Sequence, residues 1–165
     1  MTAAAIAGEG ETIVREEHRE ISILLARKEL TITRARYAPG ERVAGAHVHR
    51  THTDAFYVLE GDLTFEIGCE RQIFSVSAGA FVAAPPGVAH SVRTDGDGPA
   101  RWLTIHAHDG GFAAFMRGVR DGVTVEWDIA PVPGGGGRRA RDAIVRYDGR
   151  SPLNDSHAGL QRLIS

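Results

Sequence analysis

From residue 21 to residue 106 the chain is a series of short apolar-rich runs cut by glycine and proline. Ile21–Ala26 and Leu30–Tyr37 come first, and in the second Thr31, Thr33 and Ala35 alternate with Ile32, Arg34 and Arg36, the period of a strand with one buried face. Pro39-Gly40 then marks a turn. Val43–His49, Ala55–Leu59 and Leu63–Ile67 follow, and Gly61-Asp62 between the last two reads as a hairpin signal. Ile67-Gly68-Cys69-Glu70 reads as the turn into Gln72–Val76. Phe81–Ala84, Ala89–Thr94 and Trp102–His106 complete the series, separated by Gly79, by Pro85-Pro86-Gly87 and by Asp95–Gly98. Many short strands at even spacing predict an all-β sandwich or barrel.

After Gly110-Gly111 the period changes. Phe112, Phe115, Met116 and Val119 recur at helical spacing and predict a short amphipathic helix over 112–120, its aromatics packed on the barrel. Residues 131–137 read as a flexible connection, 143–147 as a late strand and 153–164 as a weak terminal helix. The glycine run at 134–137 is no phosphate loop, because no Lys-Ser/Thr follows it. The division is an N-terminal extension (1–20), a barrel with its helix (21–127) and a C-terminal extension (128–165), packed on the barrel or partly mobile.

With 165 residues, 42% hydrophobic and 24% charged, the chain suits one domain able to bury its own core. A net charge of −2 with scattered arginines lacks the clustered positive charge that nucleic-acid binding needs. The single cysteine, Cys69, excludes an intramolecular disulfide and reads as a structural thiol. The N-terminus lacks the basic region of a signal peptide, and no apolar run reaches the length of a membrane helix. The expectation is a cytoplasmic protein without a nucleic-acid or membrane partner.

The 8 histidines change the picture, since His47, His49 and His52 crowd one short stretch. Residues two apart on a strand share a face, so His47 and His49 project side by side. Asp54 opens the next strand and His90 begins another after Pro85-Pro86-Gly87. Any one of them alone would be an ordinary edge-strand histidine. Three imidazoles and a carboxylate drawn from three strands suit Fe(II), Ni(II), Mn(II), Co(II) or Zn(II). His18 and His157 read as bystanders near the termini, and His108 has no assigned role.

These residues resemble the cupin superfamily, whose first motif is G-x5-H-x-H-x3,4-E-x6-G and whose second is G-x5-P-x-G-x2-H-x3-N. Here His47-Val48-His49, Asp54 and Gly61 follow the first, and Gly79, Pro85, Gly87, His90 and Thr94 the second. Gly40 stands one residue early, Asp54 replaces the glutamate and Thr94 replaces the asparagine. The resemblance implies a double-stranded β-helix, or jelly-roll barrel, with a divalent transition metal inside on His47, His49, Asp54 and His90. His52 is the alternative ligand if the shorter Asp54 falls away from the metal. Strand parity then turns Phe56, Val58 and Val92 inward, with Phe65 and Trp102 as further pocket candidates against plain core packing. Asp54 and His106 are the candidates for proton transfer.

The single-barrel layout is most similar to quercetinase-like dioxygenases, so the leading expectation is a metal-dependent oxygenase acting on a small, hydroxylated aromatic or diketone-like substrate. A non-catalytic small-molecule-binding cupin and an O2-independent isomerase or cyclase stand as alternatives. A homodimer is expected, because barrel strands in 21–37 would otherwise leave an edge uncovered.

Overall fold

The computed structural model describes residues 8–132 and 137–147. The helix expected at 153–164, His157 and part of the two extensions lie outside them. Within them the strands are β1 (Glu11–Arg15), β2 (Arg19–Ala26), β3 (Thr31–Tyr37), β4 (Arg42–Val48), β5 (Thr53–Glu60) and β6 (Asp62–Ile67). Then come β7 (Gln72–Ser77), β8 (Ala80–Ala84), β9 (His90–Arg93) and β10 (Ala100–Ala107). The helix α1 (Phe112–Asp121), the short β11 (Ala130–Pro131), a 3-10 turn at Ala140–Asp142 and β12 (Ile144–Tyr147) end the series.

These strands form two antiparallel sheets, a seven-stranded one in the order β1-β2-β3-β10-β5-β8-β12 and a five-stranded one in the order β11-β4-β9-β6-β7. From β3 to β10 the chain passes repeatedly from one sheet to the other, which is the winding of a double-stranded β-helix. Alternation explains the inward faces. Along β3, Thr31, Thr33, Ala35 and Tyr37 are buried while Ile32, Arg34 and Arg36 are only half-buried, and along β10 the buried set is Ala100, Trp102, Thr104 and His106. The core fills the space between the sheets with Phe56, Val58, Val82 and Trp102 from one side and Leu63, Phe65, Ile67, Val76 and Val92 from the other.

Gly61 is not a hairpin turn. β5 pairs with β8 and β10, and β6 pairs with β7 and β9, so this one residue turns the chain from sheet to sheet. Its φ of 70° and its closeness to Pro99 suit glycine alone: an added Cβ would stand 2.5 Å from the Pro99 carbonyl oxygen. Glu11–Arg15, in the stretch read as an extension, is a strand paired with β2, with a bulge between Thr12 and Val14.

The helix begins where Asp109 accepts from the backbone N–H groups of Gly111 and Ala113, at 3.0 and 3.1 Å, and from the Thr31 hydroxyl of β3. It buries Ala113 and Met116 against Ile13 of β1 and Ile23 of β2. That packing fixes where the chain emerges from α1, and the segment after it returns across one end of the barrel.

Gly61→Ala should destabilise the fold by about 1–3 kcal/mol, from left-handed strain and the clash with backbone at Pro99. A chemical-denaturation midpoint equal to that of wild type would show that the corner tolerates a Cβ.

Candidate metal centre

At one end of the barrel two cross-strand pairs face each other. His47 of β4 lies opposite His90 of β9 in one sheet, and Asp54 of β5 lies opposite His106 of β10 in the other. The chain crosses between the sheets through residues 49–52, and this crossing carries His49 and His52 into the same space. All six side chains are buried.

Each imidazole on the His47–His90 side is turned by its own backbone contact. His47 Nδ1 donates to the Gly45 carbonyl at 2.7 Å, His49 Nδ1 to the Asp128 carbonyl at 2.5 Å and His90 Nδ1 to the Val88 carbonyl at 3.1 Å. A carbonyl oxygen only accepts, so Nδ1 carries the hydrogen and Nε2 points inward with its lone pair bare. His47 Nε2 lies 3.1 Å from His49 Nε2, and Asp54 Oδ2 lies 3.3 Å from both His49 Nε2 and His90 Nε2. Two bare imidazole nitrogens at that separation repel unless a cation or a proton sits between them. Nδ1 tied to backbone with Nε2 free is the arrangement of metal-bound histidine. The donor set therefore fits a divalent transition ion, and the ligand atoms of His47, His49, Asp54 and His90 all lie within 4.8 Å of one another.

Electrostatics favour the ligand form at His47, His52 and Asp54 and oppose it at His49. Burial, with His90 close by, pushes His47 down to about 4, and burial does the same to His52. Burial alone would raise the Asp54 carboxyl, but its contacts with His106, His49 and His90 hold it well below the usual carboxylate range. Burial would lower His49, yet the charges of Asp54 and Asp128 and the contacts to them together outweigh it and raise His49, so without a cation the proton is drawn to the space between Nε2 and Asp54.

His52 stands on the other side of Asp54. Its Nδ1 donates to Asp128 Oδ2 at 3.0 Å, and its Nε2 faces His106 Nδ1 at 3.4 Å. His106 Nδ1 also lies 2.7 Å from Asp54 Oδ1, and its ring stacks on Phe112 with centroids 3.6 Å apart. His108 is exposed beyond the end of β10 and accepts from the Gly110 N–H. His18 is exposed beside Glu16.

Asp128 carries no sequence motif, yet it organises the crossing. Its carboxylate accepts from the N–H groups of Arg50, Thr51 and His52 and from the Thr51 hydroxyl, at 2.7 to 3.2 Å, as well as from His52 Nδ1. Burial opposes its charge, but these donors hold the carboxyl far below its ordinary value. Beside it Trp127 packs on His49, 5.0 Å between centroids, and stacks on Phe115 at 5.1 Å.

A cavity of about 410 Å³ opens next to the cluster, with His47 and Asp54 on its wall. Phe56, Val92, Phe115, Trp127 and Ile129 give it an apolar lining, and Thr104 adds a hydroxyl. Phe56 and Val92 are thus where sequence parity puts them. Val58, Phe65 and Trp102 lie deeper, fully buried in the core and away from the cavity lining.

Residues 33–106 match the family model of the cupin domain. No curated protein matches the sequence. Among solved structures the fold is similar to KdgF from a Halomonas species, at 17% identity and TM-score 0.54, over 64% of this chain and 94% of that one. It is similar also to a predicted oxalate decarboxylase from Thermotoga maritima, at 19% identity and TM-score 0.55, over 63% of this chain and 99% of that one. The polyketide cyclase RemF from Streptomyces resistomycificus shares 20% identity with TM-score 0.53, over 65% of this chain and 80% of that one. At these identities the likeness is one of fold.

Asp128→Asn keeps the shape of the clamp and removes its charge, and should cost roughly 1.5–3 kcal/mol at neutral pH. Because the folded carboxyl titrates lower than the unfolded one, its contribution is whole above about pH 4 and fades as pH falls further. The stability gap between wild type and variant, read from denaturation midpoints, should therefore narrow below pH 4. A gap constant down to pH 2 would remove the charge from the account.

Proposed function

Because this chain is a cupin-domain protein whose histidine–carboxylate cluster opens on an apolar cavity, we propose that it is a metal-dependent oxygenase for a small, hydroxylated aromatic or diketone-like molecule. The observation that carries the reading is the convergence of the His47, His49 and His90 Nε2 atoms and Asp54 Oδ2 beside that cavity. A divalent ion held there would supply Lewis acidity and open positions for substrate oxygens and O2.

The chain's own residues supply the rest. Phe56, Val92, Phe115 and Trp127 would cover the apolar body of a flat substrate and keep water from it. The Trp102 indole N–H donates to Thr104 Oγ1 at 2.9 Å, which leaves the threonine hydroxyl hydrogen free to meet a substrate oxygen. Asp54 is the one carboxylate on the cavity wall among the described residues, and when detached from the ion it would take a proton from a substrate hydroxyl, with His106 behind it. An O2-independent cyclase or isomerase would use the same ion and cavity and differ only in leaving O2 untouched.

No helix among the described residues is long and apolar enough to cross a membrane. The free, exposed Cys69 is compatible with a reducing cytoplasm. We read the assembly as a homodimer that covers sheet edges such as the outer side of β1. Size-exclusion chromatography with light scattering should give twice the 17.7 kDa chain mass, and a 17.7 kDa species alone would end that reading.

Tag-free protein loaded in turn with Fe(II), Ni(II), Co(II), Mn(II) and Zn(II) should consume O2 with at least one member of a flavonol and diketone panel, and His90→Gln should abolish it. Thr104→Val should lower kcat/KM by roughly 2- to 12-fold, the worth of one hydrogen bond. Product without O2 uptake would replace the oxygenase by an isomerase or cyclase. Co-purified ligand without product would make the protein a binding module.

A further inference from the structure

The two oxygens of Asp54 face different histidine groups. Oδ2 belongs to His49 and His90, while Oδ1 lies 2.7 Å from His106 Nδ1. His52, Asp54 and His106 form a second set of ligand atoms within 4.8 Å of one another, all buried. We propose that this set holds a second divalent cation, on His52 Nε2, His106 Nδ1 and Asp54 Oδ1, with the Asp54 carboxylate bridging it to the first. The inference rests on the reading of His47, His49, Asp54 and His90 as the ligands of that first ion.

Three observations carry it. The first is the direction of His52. Its Nδ1–H is committed to the Asp128 carboxylate, so the inward Nε2 has only a lone pair to offer. The backbone also holds the ring in place, since a Cβ on Gly110 would stand 2.6 Å from His52 Nδ1. A carboxylate behind an imidazole is the support that orients and strengthens a metal ligand.

The second is an unmade hydrogen bond. Asp54 Oδ1 has no aligned donor although His106 Nδ1 is 2.7 Å away, and His106 Nε2 is likewise buried without a partner. Nε2 has no partner in either tautomer, beneath the Phe112 ring. With the hydrogen on Nε2, three bare acceptors meet at one point, and with it on Nδ1, the one hydrogen faces both His52 Nε2 and Asp54 Oδ1 and leaves Oδ1 without an aligned donor. A cation on the Nδ1 side resolves the first arrangement by answering all three lone pairs together. Buried polar atoms without partners are otherwise costly enough to be rare.

The third is strand register. Asp54 and His106 are direct cross-strand neighbours, so their approach is set by β5 and β10 rather than by a mobile loop. A nitrogen-rich, thiolate-free set of this kind suits Zn(II), Ni(II), Co(II) or Fe(II) and leaves positions for water. Two ions sharing a carboxylate can clamp two oxygens of one ligand, which a single ion cannot do in the same way.

The test is a count of metal. Tag-free full-length protein is stripped with a strong chelator, dialysed against Zn(II), cleared of surface metal with a weak chelator and measured by plasma mass spectrometry. Wild type should hold about two ions per chain, and His106→Gln and His52→Gln should each hold about one, with circular dichroism confirming the fold. Mn(II)-loaded wild type should show an exchange-coupled paramagnetic resonance signal that both variants lose. One ion in wild type and in both variants would overturn the second site and leave the first standing. One ion that the two variants lose, but His47→Gln and His90→Gln retain, would overturn the pair and the first assignment together, as would no ion in wild type.

Discussion

A buried carboxylate is the constraint to which the rest of the site answers. Asp54 lies where the two sheets meet at one end of the barrel, almost wholly removed from water. An ionised group in that position costs several kcal/mol unless partners surround it. The fold supplies imidazoles from both sheets and from the crossing between them, and these hold the carboxyl ionised against the pull of burial. Their orientation in turn comes from backbone carbonyls at Gly45, Val88 and Asp128. The directions of these imidazoles are therefore inherited from strand and loop geometry.

The segment after α1 closes this end. Asp109 starts the helix and ties it to Thr31 of β3, and Ala113 and Met116 seat it on β1 and β2. From that seat the chain returns through Trp127, Asp128 and Ile129. Trp127 and Ile129 wall the cavity, Asp128 gathers the crossing residues, and β11 then pairs with Val48 and His47. One short stretch thus joins the satellite core under the helix to the polar cluster. Disturbing how the helix packs would loosen the Asp128 clamp on His52 from a distance.

What the sequence revealed and what it hid have separate physical reasons. Strand positions were readable because alternation is local, and His47, His49, Asp54 and His90 stood out because their spacing follows the barrel's winding. The Gly61 corner was misread as a hairpin because a glycine at positive φ serves either turn, and only pairing partners distinguish them. β1 escaped notice because its bulge between Thr12 and Val14 breaks the alternation. Asp128 was invisible because its partners at 50–52 are more than 70 positions away and it sits in no periodic pattern. The cupin asparagine position shows a quieter substitution. Thr94 donates to the Ala38 carbonyl and accepts from the Glu41 N–H, closing the turn around Gly40 with a hydroxyl.

Parity told which side chains face inward, but not how deep each lies, and depth is what separates function from stability here. The β5–β10 register sets Asp54 opposite His106, Phe56 opposite Thr104 and Val58 opposite Trp102. Each step of two residues moves one layer along the barrel, from ionisable cluster to cavity wall to packed core. The neighbouring sheet follows the same order, with His90 at the cluster and Val92 at the cavity, where Val92 pairs with Phe65. A large side chain in the second layer would fill the cavity. The same strands hold the ionisable cluster at one end while their other end is packed mainly with apolar side chains, its polar groups being neutral: the Trp102 indole N–H donates to the Thr104 hydroxyl of the layer above, and the Thr94 hydroxyl donates to the Ala38 carbonyl.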